Sequence, residues 1–298
     1  MEHKPISAAP ISPIDDGRMA FDAPIRDALL RLGYLSPEQT ARVIAHQADR
    51  GLDFDQAALE LGFITTDDLD NAREQLLLSM ALRETRQRDV SDELVVVHDP
   101  NSVRSEALRL LRTQIIAQHI RSGRRGLAFV APVDGVGCSY LVANVAAALS
   151  QVGTKTLLID ANMRSPRIAA MFGLDAAAPG LSSFLSLEVA RPERVVHANV
   201  LPSLSIMTAG PAVSRPQELL SQSRFRDGCN ALLREYDLVL FDTPAANTNA
   251  DALTIGAAAG YALVAARKDH SYFNDVATLI DQLTAARCPV IGSVLNEF

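Results

Sequence analysis

Leu127–Asn144 reads L-A-F-V-A-P-V-D-G-V-G-C-S-Y-L-V-A-N. A short apolar run, Leu127 to Ala131, enters a glycine-punctuated turn, and an alanine- and valine-rich segment from Ser139 to Leu149 follows at helical spacing. Strand, glycine-rich loop and helix in that order make a phosphate-binding loop. Gly135 and Gly137 let backbone amides converge on an anion with no Cβ in the way. The helix then presents its positive end to that anion. Ser139 stands where the loop hydroxyl ligates Mg²⁺, and the position before it, where lysine is needed, is Cys138.

Downstream, Thr156–Ile159 is a β-type run ending in Asp160-Ala161-Asn162-Met163-Arg164-Ser165-Pro166. A carboxylate just past a buried strand lies at the carboxyl edge of a parallel sheet, where ligands bind. Pro166 suits the first turn of a helix. Leu204–Met207 reads as another strand, and Pro216 opens a helix running towards Tyr236. Leu238–Phe241 is an apolar strand ending in Asp242, placed to manage Mg²⁺ beside a phosphate loop. Ala262–Ala266 and Val290–Leu295 complete a set of strands alternating with helices. That alternation predicts an α/β domain, a three-layer parallel-sheet P-loop domain over 101–298. Ahead of it, Ser102–Ile120 places Leu108, Leu111, Ile115 and Ile116 on one helical face, with Glu106, Arg109 and Arg112 in the opposite register.

The amino-terminal part has another texture. Residues 1–20, rich in proline and serine, read as a disordered tail. Within 21–82, Leu29–Gln39 recurs as Ala58–Asp68: a helix stopped by Gly33 or Gly62, two apolar residues, then Ser36 or Thr65 as N-cap. A small all-helical domain is expected. It resembles the amino-terminal domain of type II secretion and pilus-assembly ATPases, some of which bind cyclic di-GMP. Where binding members carry Arg-Leu-Gly, this chain has Pro24-Ile25-Arg26 and Asp53-Phe54-Asp55, so a docking role is expected instead. Residues 83–100, charged and ending in Pro100, read as a solvated linker.

A net charge of −7 over 298 residues argues against non-specific nucleic-acid binding. Cys138, Cys229 and Cys288 are scattered, without metal-ligand spacing. No secretory leader is legible in residues 1–20, and the apolar stretch Ile255–Ala266 is too short to span a bilayer. A cytoplasmic protein is expected, held peripherally at the inner membrane through a partner.

Taken together, the carboxyl-terminal motifs resemble the bacterial tyrosine kinases (BY-kinases) of capsule and exopolysaccharide systems, within the MinD/ParA-like P-loop class. Glu106, Arg109 and Arg112 fit the family's Glu-x-x-Arg-x-x-Arg helix, which implies oligomerisation with itself or an active kinase. Leu157–Pro166 fits the Asp-x-Asp-x-Arg motif, Arg215–Ser221 the Asn-Pro-x-Glu-Leu-Leu segment, and Phe241–Ala252 the Walker B strand and loop. The resemblance implies ATP or ADP held by Asp134, Gly135, Val136, Gly137, Cys138, Ser139, Tyr140, Asn162, Arg164 and Asn296. It implies Mg²⁺ at Ser139 and Asp242, Asp160 and Asp242 as the catalytic acids of an active member, and a chain-length-determinant membrane partner on a separate polypeptide.

Cys138 replaces the lysine, Asn162 replaces the second acid, and the tyrosines are dispersed rather than gathered in a terminal cluster. A charge-assisted hydrogen bond is worth roughly 1.5–3 kcal/mol, so losing the lysine weakens ATP binding about ten- to 150-fold. Deleting one stabiliser of developing charge costs about 10²–10³ in rate. The expectation is a regulator or adaptor of exopolysaccharide synthesis and export with impaired catalysis. The alternative is an active autokinase with an altered loop.

Overall fold

The computed structural model describes residues 25–30, 32–73 and 90–297. The expected tail at 1–20, and the segment 74–89 with the start of the expected linker, lie outside the described residues. The chain divides into two compact units, Met1–Met80 and Ala81–Phe298.

The first unit is helical: α1 (25–30), α2 (Pro37–Arg50), α3 (Phe54–Glu60) and α4 (66–73). The internal repeat is visible in three dimensions. Gly33 and Gly62 take positive φ, +76° and +66°, which suits residues without a Cβ after a helix. Ser36 caps α2 in a reciprocal pair with Gln39, and Thr65 caps α4 with Asp68. Ile25 and Phe54, Ala28 and Ala57, Leu29 and Ala58, Leu35 and Ile64 occupy matching places in one core.

The second unit is built on a seven-stranded sheet in the order β3-β4-β2-β5-β1-β6-β7. The strands are β1 (Gly126–Val130), β2 (Thr156–Asp160), β3 (His197–Leu201), β4 (Leu204–Met207), β5 (Leu238–Asp242), β6 (Ala262–Arg267) and β7 (Val290–Asn296). All pair in parallel except β3, which runs antiparallel along β4. Side chains alternate between two cores, as a two-residue repeat requires. Leu127, Phe129, Leu158, Leu238 and Leu240 enter the core under α6 (Val103–Gln118) and α7 (Cys138–Ser150). Ala128, Val130, Leu157, Ile159, Val239 and Phe241 enter the opposite core. There they meet α11 (Ser223–Glu235), α12 (Asp251–Ala259) and α13 (Phe273–Ala285). This is the three-layer P-loop architecture.

Three local readings change. Residues 90–98 are not a solvated connector: Val90, Leu94, Val96 and Val97 are buried in the first core, around a single turn α5 (Val95–His98). The helix expected from Pro216 is two, α10 (Pro216–Leu220) and α11, separated at Ser221 and Gln222. Pro166 precedes α8 (Ile168–Met171) instead of opening it. A further short helix, α9 (Leu181–Leu185), lies between α8 and β3.

Candidate functional site

The carboxyl ends of β2, β5 and β1 stand side by side in the sheet, so the loops that follow them converge. Between β1 and α7 the chain turns through Gly135 and Gly137 at φ +76° and +88°, where a side chain would be strained. Other parts of the domain hold this turn by its carbonyls. Arg267 Nη1 donates to the Gly135 oxygen at 2.9 Å, and Asn296 Nδ2 donates to the Val136 oxygen at 3.0 Å. The His270 ring nitrogen lies 2.9 Å from the Asp134 oxygen. Among the described residues, the amides of 135–139 have no hydrogen-bond acceptor of their own. Unpaired amides at the start of a helix are an anion cradle.

The cradle borders a cavity of about 320 Å³, lined by the loop from Val133 to Tyr140 and by Asn162, Ser165, Arg167, Thr243 and Ala245. Ser139 Oγ donates to Asp242 Oδ2 at 2.5 Å. Asp242 is fully buried, and among the described residues its other oxygen has no hydrogen-bond partner. In the sheet register Asp242 is paired with Asp160, also fully buried. Burial pushes the Asp160 carboxyl up to about 7. Burial first, and then the neighbouring Asp160 charge, push Asp242 well above the usual carboxylate range. An orphaned carboxylate oxygen beside the loop hydroxyl is the donor set a Mg²⁺–phosphate group requires, so the residues fit that group in all but the lysine.

Asp160 is committed locally. Its oxygens accept the amides of Asn162, Arg167 and Ile168 at 3.2, 3.1 and 3.0 Å, and it braces the loop behind the cavity without lining it. Asn162 lines the cavity while its Oδ1 accepts the Ser165 amide at 3.1 Å. Arg164 turns away from the lining, its Nε donating at 2.7 Å to Asp251, a carboxylate buried at the start of α12. The cationic side chain on the lining is instead Arg167. Asn296 belongs to a separate groove with Val103, Tyr140 and Leu295. Cys138 faces the cavity half-buried, its thiol donating to the Phe129 oxygen at 3.2 Å, and burial holds that thiol well above its ordinary range. It is a neutral side chain where a cation would stand.

On α6, Glu106 and Arg109 pair with each other at 3.1 Å. Arg112 turns inward, its Nη1 donating to the Ala148 oxygen of α7 at 3.3 Å. The three therefore do not form one free ridge. Sequence reasoning missed Arg167, Arg267 and His270 at the loop. None lies in a motif, and only the folded sheet brings them there.

No protein-family model matches the chain. It is 36% identical over 197 residues to EpsB of Ralstonia solanacearum, a match spanning 66% of this chain but only 26% of EpsB. It is 30% identical over 217 residues to the tyrosine-protein kinase YwqD of Bacillus subtilis, covering 73% of this chain and 91% of YwqD. The kinase domain of the Escherichia coli tyrosine kinase ETK superposes with a TM-score of 0.64 at 27% identity, covering 68% of this chain and 79% of that domain. Among the described residues no helix is long and apolar enough to cross a membrane. With its P-loop between β1 and α7, its buried acids on β2 and β5 and these relatives, the chain belongs to the bacterial tyrosine kinase family of capsule and exopolysaccharide systems.

Proposed function

We propose that this chain is a catalytically impaired member of its family, acting as a regulator or adaptor in exopolysaccharide synthesis and export. One observation carries the reading: the loop keeps its two left-handed glycines, its unpaired amides and the Ser139–Asp242 pair, while Cys138 places a neutral thiol at the lysine position. A nucleotide diphosphate with Mg²⁺ would be held by the loop amides, Ser139 and Asp242. The metal would supply charge neutralisation between the phosphates. The chain's own residues bind and orient, but the cation that stabilises charge developing on a transferred phosphoryl group is missing.

In this role the chain binds ADP or ATP weakly. It docks on a chain-length-determinant membrane protein, carried peripherally to the inner membrane, and assembles with itself or with a lysine-bearing kinase through Glu106 and Arg109. The amino-terminal unit serves docking. The second reading, an active autokinase, is favoured by the intact Ser139–Asp242 pair alone. Incubating the purified chain with Mg²⁺-ATP and probing for phosphotyrosine separates the two. Absence of phosphotyrosine, together with measurable ADP binding, supports the adaptor, whereas phosphotyrosine formed by the unaltered chain supports the kinase.

A further inference from the structure

We infer that Arg167 is the cation through which this cavity grips a nucleotide's phosphates, in place of the absent loop lysine, and that Glu93 holds it in reserve. The inference rests on the nucleotide reading above and assigns the residue that makes it work.

Three observations converge. Among the described residues, Arg167 is the one lysine or arginine on the cavity lining, which otherwise offers the Asp134 carboxylate, a neutral thiol, hydroxyls, an amide, small apolar side chains and backbone. Its backbone is anchored to the site's own frame. The Arg167 amide donates at 3.1 Å to Asp160, whose sheet partner Asp242 accepts from Ser139 of the loop. Its guanidinium is engaged from outside the cavity, where Nη2 meets both oxygens of Glu93 at 2.7 and 3.0 Å.

That ion pair is solvent-exposed, with side-chain exposures of 55% and 42%, so little is lost when it opens. A phosphate in the cavity offers a guanidinium a forked, charge-assisted partner of higher charge than a carboxylate. Glu93 itself cannot follow. Its carbonyl accepts Asn144 Nδ2 at 2.9 Å, and its segment is buried against α7 through Leu94, Val96 and Val97. Arg167, on a long flexible stem from a fixed backbone, is the partner free to swing. Arg164, which the family motif would nominate, is committed to the buried Asp251.

The test is ADP with Mg²⁺ titrated into the full-length protein and into Arg167→Ala, Arg167→Lys and Glu93→Gln, read by calorimetry, with unliganded melting curves as a folding control. Arg167→Ala is expected to weaken ADP by about tenfold or more, the loss of one charge-assisted contact. Arg167→Lys is expected to fall between the alanine variant and wild type. Glu93→Gln is expected to tighten ADP by about twofold to fivefold by releasing the arginine. Equal ADP affinity in wild type and a folded Arg167→Ala would overturn this inference alone. So would a Glu93→Gln variant as weak as Arg167→Ala, since the pair would then act as a brace. A wild type that takes up no ADP at millimolar concentration would overturn the nucleotide reading and this inference with it.

Discussion

Asn144 shows how a single side chain can organise the approach to the site. It is fully buried in α7, its Oδ1 accepts the Val96 amide at 3.3 Å, and its Nδ2 donates to the carbonyls of Glu93 and Tyr140, both at 2.9 Å. Replacing it with leucine of similar bulk leaves the Glu93 carbonyl and the Val96 amide without their partner. Asn144→Leu is therefore expected to cost about 2–4 kcal/mol in urea unfolding, three modest bonds lost plus the penalty of buried orphans. A cost below about 0.5 kcal/mol would mean that the segment at 90–98 is not held through this residue. At this scale the sequence was legible where chemistry is local. Gly135, Gly137, Ser139 and Asp242 are named by their neighbours in the chain, because a strand–loop–helix motif places its own residues. Asn144, Arg167, Arg267 and His270 act across elements far apart in sequence, and no spacing rule reveals such contacts. The orientation of Arg164 is hidden for the same reason: its motif says that an arginine is present, and the buried Asp251 decides where that arginine points.

Among the elements, α6 is the most informative. Its amphipathic face was readable, and Leu108 and Ile115 are buried in the first core as the helical period requires. Its far end was not. His119 follows the helix fully buried, one ring nitrogen 3.0 Å from the Gly126 oxygen, the other without a partner among the described residues, and its ring edge-on to Tyr261 at 5.1 Å. Burial is the main cause that lowers its pKa below the ordinary histidine value, so the fold keeps it neutral. The unfolded chain takes up a proton below about pH 6.5 and the folded chain resists, so this contribution to stability is present above that pH and is lost as pH falls. Compared with wild type, His119→Gln should gain relative stability between pH 7.5 and 5.5, by no more than about 1.4 kcal/mol per pH unit for one proton. A stability difference independent of pH would show that His119 is not held neutral. Elsewhere, β3 escaped the sequence reading because its burial is partial and irregular, as befits an antiparallel edge strand. The break between α10 and α11 escaped because Ser221 and Gln222 do not interrupt an amphipathic pattern.

For the whole molecule, the question is what a nucleotide fold does if, as proposed, its reaction is impaired. The proposed assembly face can be separated from stability by two substitutions on the same helix. Arg109 pairs with Glu106, whereas Arg112 is tied to the Ala148 carbonyl beneath it. Arg109→Ala is expected to lower the mass seen by light scattering, alone or mixed with a lysine-bearing kinase, with little change in melting temperature. Arg112→Ala is expected to lower the melting temperature as well, by about 2–4 °C for each kcal/mol lost. An unchanged mass for Arg109→Ala would remove α6 from the assembly. The division into a helical unit and a P-loop unit was legible because composition and repeat change together along the chain. The packing of residues 90–98 was not, since a charged run gives no sign that Leu94, Val96 and Val97 within it are buried. Whether a phosphate cradle has outlived its catalytic cation, as proposed, is read from Mg²⁺-ATP turnover by wild type beside Cys138→Lys. Negligible turnover by wild type and a rise of about 10²-fold or more in the lysine variant are expected; wild-type turnover equal to that of the variant would contradict the loss of the catalytic cation.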